Sequence, residues 1–336
     1  MRLTNRWISR VVPLGVAGLC ATYLACELPE DTSIDEQATL NLQGSNLQGS
    51  NLQGMSMLGF QIDGATLGGV ALVNLRIEGG EVVAEQNQVT QRGTALIGAH
   101  LQAQVRNLNV SPPATTLVEY RITGVVPEDA KYDPTGTGST FLYTLEQWVD
   151  ETSSWVPACP ADVDGRRVAI PIAATWDERG SRSASSSLFT LGCTTGVIAK
   201  CYRWGYRPWV TGYGDLVTMH WTCTRLARAD YCGDGVSHTY DGTLINVWDD
   251  LPAPGPIQTH GGLLPPLGML FEAGWDTGGA VCLSHARWLQ IGPLIAASCP
   301  DRLMPVGIGP LTCDTLSQVL GINSSAHLFN ESYLGL

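Results

Sequence analysis

Residues Leu226 to Gly242 read LARADYCGDGVSHTYDG, which brings three aspartates, a cysteine, a histidine and two tyrosines into seventeen positions. Three chemistries suit those types. Cys232 could serve as a nucleophile if His238, six residues on, or His220 upstream acted as its base. Asp230 could serve as a general acid or base, its pKa shifted by burial, with His238 or Glu272 as the second catalytic group. Asp230, Asp234 and Asp241, separated by glycines, offer hard oxygen ligands to calcium, as does DVDG at Asp162 to Gly165, though neither has EF-hand spacing. Each has a plainer competitor: a disulfide for Cys232, a structural anchor for Asp230, and turn-forming Asp-Gly pairs for the rest. No cofactor is expected beyond that calcium alternative. The chain has no G-x-S-x-G, H-E-x-x-H or phosphate-cradling glycine loop.

The element that would position Asp230 is an amphipathic helix. Asp215 is a suitable N-cap for LVTMHWTCTRLARADY, where Leu216, Met219, Cys223 and Leu226 form an apolar stripe. Continuing the stripe by four residues reaches Asp230, so that carboxylate faces the core and must find partners there. Arg225 lies opposite Leu216 on the helical wheel and is expected in solvent, while Gly233 and Gly235 end the helix. A shorter helix is expected in TTGVIAKCYRWGYRP, capped by Thr195 and stopped by Gly205 and Pro208, with Val197, Cys201 and Trp204 on one face.

Beyond that helix, YRWGYRPW alternates aromatics with arginine. Tyr202, Trp204, Tyr206 and Trp209, joined by Asp234, are the candidate binding residues, a platform on which a sugar or peptide could stack. Glu272 and Trp275 in FEAGW, with His285 and Arg287 in LSHARW, could complete a pocket with Asp230.

Composition narrows the partners. The 336 residues carry 31 acidic against 19 basic side chains, a net charge of −12, and only two of the basic residues are lysines, Lys131 and Lys200. Such a chain repels phosphate backbones, so nucleic acid is not an expected partner. Residues 1–26 read as an export signal: arginines at 2, 6 and 10 precede an apolar stretch from Val11 to Ala25, well short of the ~20 residues that span a bilayer. YLAC ending at Cys26 is similar to a bacterial lipoprotein signal, which would make Cys26 the lipidated residue and the membrane a partner only through that anchor. Tyr23 and Leu24 depart from the usual pattern there. An outer-membrane lipoprotein or a secreted protein follows.

Export places the remaining cysteines in an oxidising compartment. Cys159, Cys193, Cys201, Cys223, Cys232, Cys282, Cys299 and Cys313 are even in number and lack zinc-ligand spacing, so up to four disulfides are expected, with the pairing open.

After an acidic linker at 27–39, residues 40–80 repeat every five: LNLQG SNLQG SNLQG MSMLG FQIDG ATLGG VALVN LRIEG. The units resemble the pentapeptide-repeat family, which implies a right-handed β-helix with the central apolar residue inside; a stalk is the alternative. Residues 87–180 read as a β-rich subdomain, with strands in ALIGAHLQAQV, TTLVEYRITGVV, TFLYTLEQWVD and RRVAIPIAATW and antiparallel pairing expected. Residues 181–336 read as a disulfide-rich helix-and-loop region, folded as one unit with the β-rich part.

RADYCGDGVSHTYDGT, with FTLGCTTGVIAKCYRWGYRPW before it and FEAGWDTGGAVCLSHARW after it, resembles the family of exported, mainly myxobacterial proteins named for its Ala-Asp-Tyr-Cys signature, here Ala229 to Cys232. The likeness covers roughly residues 90 to 320, and many members carry Asn-, Leu- and Gly-rich repeats near the N-terminus. It implies location and architecture and no mechanism, since the family has no assigned activity. The expectation is an α+β fold: a short pentapeptide-like β-helix or stalk, a β-rich region and a disulfide-rich helix-and-loop region. Its expected role is a non-catalytic module of the envelope or medium binding a glycan, peptide or surface protein. An envelope-acting hydrolase using Asp230 with His238 or Glu272 is the alternative.

Overall fold

Period-two alternation governs the first half of the chain. In a computed structural model, which describes residues 57–107, 114–177, 179–185, 188–240, 243–252, 254–259, 268–300 and 325–335, it becomes thirteen strands. They are β1 (Met57–Leu67), β2 (Val70–Ala71), β3 (Val73–Glu78), β4 (Glu81–Gln86), β5 (Val89–Arg92), β6 (Ala99–Asn107), β7 (Ala114–Pro127), β8 (Phe141–Val149), β9 (Ser154–Pro157), β10 (Val168–Ile172), β11 (Ala174–Trp176), β12 (Arg182–Ala184) and β13 (Leu188–Cys193). Strands β1, β6, β7, β8, β10 and β13 pair in a ring, because β10 bonds to both β13 and β8, and the sheet closes into an antiparallel barrel. Closure removes sheet edges wherever the pairing is complete. Leu101, Ala103, Tyr120, Ile122, Tyr143, Leu145, Phe189 and Leu191 fill the interior, and the intervening Gln102, Gln104, Leu117, Glu119, Arg121, Glu146 and Trp148 face outward.

The described part of the five-residue repeat, 57–80, is not a β-helix. It supplies β1 of the barrel, the short β2 paired back on β1, and β3 of an antiparallel three-stranded sheet β3–β4–β5. The reason lies in the glycine pairs. Gly68 and Gly69 (φ 58° and 78°) and Gly79 and Gly80 (φ 55° and 77°) take the left-handed conformations of two-residue hairpin turns, which reverse the chain instead of turning a coil corner. The repeat's central residues still point inward: Leu72 is buried, and Ile62, Leu67 and Ile77 pack on the barrel core. Residues 1–56, with the export signal, Cys26, the acidic linker and the first repeats, lie outside the described residues.

The second half is more than helix and loop. Helices α1 (Val197–Arg203) and α2 (Leu216–Ala227) are followed by β14 (Ile245–Asp249), β15 (Leu270–Asp276), β16 (Gly279–Leu283), α3 (Gly292–Ser298) and β17 (Leu328–Ser332). The four strands form an antiparallel sheet in the order β14–β17–β15–β16. Helix α2 lies on β15, β16 and β17, and α1 packs on both α2 and β13. Between them sits a core that also takes Val168, Ile170 and Ile172 of β10, whose Ala169 faces the barrel interior. Burial on both faces explains the unbroken apolar run of that strand.

Asp215 caps α2 as its sequence predicts, accepting from the Val217 and Thr218 N–H groups. For α1 the cap is Gly196 rather than Thr195. Three disulfides join described residues and staple the fold: Cys159–Cys193, Cys201–Cys223 between the two helices, and Cys232–Cys299. Cys282 is also disulfide-bonded, and Cys313 lies outside the described residues.

Candidate functional site

Helix α2 ends earlier than its glycines suggest. Its last residue is Ala227, and Ala229 adopts a left-handed conformation (φ 50°) that turns the chain before Asp230. Asp230 is fully buried, as the stripe predicts. Its carboxylate takes the Arg225 guanidinium at 2.5 Å and the Gly235 N–H at 3.2 and 3.1 Å, with Arg228 4.0 Å away. Arg225 is therefore not in solvent. It is buried, spans from Asp230 to the carbonyls of Arg179 and Thr277, and is covered by the β15–β16 hairpin, a layer invisible to a helical wheel. Burial pushes the Asp230 carboxyl above its ordinary range, with Arg225 and Arg228 pulling against that shift.

Glu272 belongs to a second buried ion pair. Arg287 grips it through two parallel bonds of 3.0 and 2.9 Å and also donates to Thr239 and to the Leu226 carbonyl. Tyr231 donates to Glu272 at 3.0 Å, accepts the Arg287 N–H at 2.8 Å, and stacks on Trp275 at 5.2 Å. Burial pushes the Glu272 carboxyl up, but the Arg287 charge and the hydrogen bonds from Arg287 and Ser332 together outweigh it and hold the group below the usual range. Burial drives the Tyr231 phenol well above its ordinary value. His238 leans on the Tyr231 ring at 5.8 Å and bonds the Ala229 carbonyl at 3.1 Å, and His285 meets Ser332 at 3.2 Å.

His238 and Glu272 thus meet at Tyr231, with Asp230 its neighbour in the chain, yet both carboxylates are buried and bound to arginine. Cys232 is bonded to Cys299 and is neither nucleophile nor metal ligand. Asp234 bonds the Val236 N–H of its own turn, and Asp241 lies outside the described residues. Asp162 is taken up by Thr194, Arg203 and its own loop. Among the described residues no group of three or more His, Cys, Asp or Glu is placed to hold a metal ion.

The aromatic run is in the core rather than on a platform. Tyr202, Trp204 and Tyr206 are buried, and Trp209 stacks on Tyr202 at 5.0 Å and lies against Gly80. The alternating arginines turn to carboxylates: Arg203 to Glu128 and Asp162, Arg207 to Asp133. Burial raises the Asp133 carboxyl, but bonds from Arg207 and the Gly138 N–H outweigh it and hold the pKa at about 2.

A half-buried aromatic cluster stands instead on the outer barrel wall. Trp148 and Trp155, opposite each other on β8 and β9, meet edge to face at 5.5 Å. Arg121 lies 4.5 Å over Trp155, His100 packs against the same ring, and Glu119 and Glu146 pair with His100 and Arg121. Beside Trp148 opens a cleft of about 380 Å³ between residues 116–119 of β7 and 147–151 of the β8–β9 hairpin, with Gln102 on its rim. The sequence carries the signal for it: Thr144, Glu146 and Trp148 share the polar face of a strand, and a tryptophan at that phase has no core to enter.

Among the described residues, a closed barrel beside a helix-covered sheet, joined by one core and stapled by disulfides, defines a mixed, β-rich protein with few helices. The chain belongs to the ADYC domain family, whose model matches residues 93–289. No curated protein and no solved structure matches it.

Proposed function

We propose that this protein is an exported, non-catalytic binding module of the cell envelope or the surrounding medium, and that its ligand seats in the cleft beside Trp148. The observation that carries the reading is this solvent-facing concavity, which sets an indole among two amides and three carboxylates, a lining suited to a glycan or peptide. The disulfides suit an oxidising compartment. Among the described residues no helix is long and apolar enough to cross a membrane. The hydrolase alternative is weaker, because the Asp230 and Glu272 carboxylates it needs are buried and bound to arginine.

The test is an array of envelope glycans and peptides probed with the wild-type chain, Trp148→Ala and Asp230→Asn. Loss of captured ligands with Trp148→Ala, at unchanged circular dichroism, is expected. Capture that survives Trp148→Ala, or turnover of a captured ligand that Asp230→Asn abolishes, would overturn the reading.

A further inference from the structure

The cleft has walls made of strand edges. Pairing between β7 and β8 runs from Pro127↔Phe141 to Tyr120↔Gln147 and stops. From Ala114 to Glu119, β7 is paired on its β6 side alone, and from Trp148 onward β8 is paired with β9 alone. The two edges diverge, and the cleft is the gap between them. Among the described residues, the six-residue stretch of β7 therefore has an open edge of roughly 20 Å on which every second residue, three in all, presents an unpaired backbone N–H and C=O. The edge lacks the usual protection: no proline or lysine lies along it, and Leu117 is 59% exposed. Glu119, Asp150 and Glu151 line the gap, while no lysine or arginine does.

We propose that this gap captures an extended, lysine- or arginine-bearing polypeptide segment, which adds to the free edge of β7 as a strand. This rests on the binding reading above and names its ligand. Backbone bonds to residues 114–119 supply register, the face of alternate side chains meets Leu117 and Trp148, and the basic groups meet Asp150 and Glu151. A glycan would use the indole and carboxylates but leave the strand edge unpaired, so the polypeptide answers more of the observed features.

The experiment uses the full, oxidised chain and a synthetic octapeptide of alternating lysine and valine, with a glutamate–valine octapeptide and chitohexaose as comparators. Hydrogen exchange read by mass spectrometry is expected to slow in peptides covering 114–119 and 147–151 with the lysine peptide only. Leu117→Lys, at an exposed position, is expected to weaken binding at least about tenfold by charging the edge, and Asp150→Asn with Glu151→Gln about tenfold. Absence of protection on β7 overturns the proposal, as does equal binding of the two octapeptides. Chitohexaose protecting 147–151 while the lysine peptide does not would overturn the strand-addition proposal and leave the binding reading standing. Should the array ligands be indifferent to Trp148→Ala, the binding reading itself falls.

Discussion

The turn after α2 and the outer wall of the barrel use the same side chains for opposite ends. Both pair arginine with glutamate beside aromatic rings: Glu272–Arg287 next to Tyr231 and Trp275, and Glu146–Arg121 next to Trp155. The first pair is fully buried and every carboxylate oxygen is bonded, whereas both partners of the second are partly in solvent. Water decides what each can do. A dry, saturated ionic cluster fixes how chain segments cross; a wet one leaves rings and carboxylates available to a ligand.

The contrast is sharpest under mutation. Glu272→Ala strands the Arg287 charge in the core and is expected to cost about 4 kcal/mol in urea unfolding. A loss under about 1 kcal/mol would show that the cluster is not the anchor described. Gly233→Ala is next. A Cβ there would sit 1.9 Å from the Gly278 carbonyl oxygen, at a φ of 69° that already disfavours alanine, so the turn and the β15–β16 hairpin must part. About 3 kcal/mol of destabilisation is expected, read as a lowered Tm; an unchanged Tm would mean that the two loops do not touch.

Acid titration tests a third, intermediate site. Asp133, held at about 2 by bonds that outweigh its burial, contributes stability above the unfolded carboxylate pKa near 4, lost as pH falls from about 4 to 2. Roughly 2 kcal/mol should vanish over that window in the wild type and be missing at pH 7 in Asp133→Asn. Equal acid profiles for the two chains would remove Arg207–Asp133 as a stabilising pair. On the barrel wall Glu146→Gln should shift stability by less than about 1 kcal/mol. A larger loss would erase the distinction between the two regions.

What the sequence discloses follows the range of the interactions. The α2 cap at Asp215, its buried stripe and the inward Asp230 are local and legible, as are the alternating strands between residues 95 and 176. The resemblance carried by Ala229 to Cys232 likewise leads to the family. The helical wheel misplaces Arg225 because its cover comes from a hairpin some fifty residues on. The second sheet was hidden for a similar reason. One of its two inner strands, β17, is the last of the described strands, and INVWD, LFEAGWD and LFNES are too short to announce a sheet singly. In the repeats, a strict period of five outweighed two Gly-Gly pairs that mark hairpin turns.

Barrel closure also has a consequence in time. Strand β1 emerges from synthesis first among the described strands, yet one of its neighbours is β13, through Phe60↔Phe189. Until residue 193 has been made, the sheet β1–β6–β7–β8 keeps its β1 flank open to β13, and a ring closed by distant segments forms slowly. The Cys159–Cys193 bond ties the end of β13 to the segment after β9. Oxidation of that pair should therefore mark the moment at which the nascent barrel stops being able to stick to its neighbours.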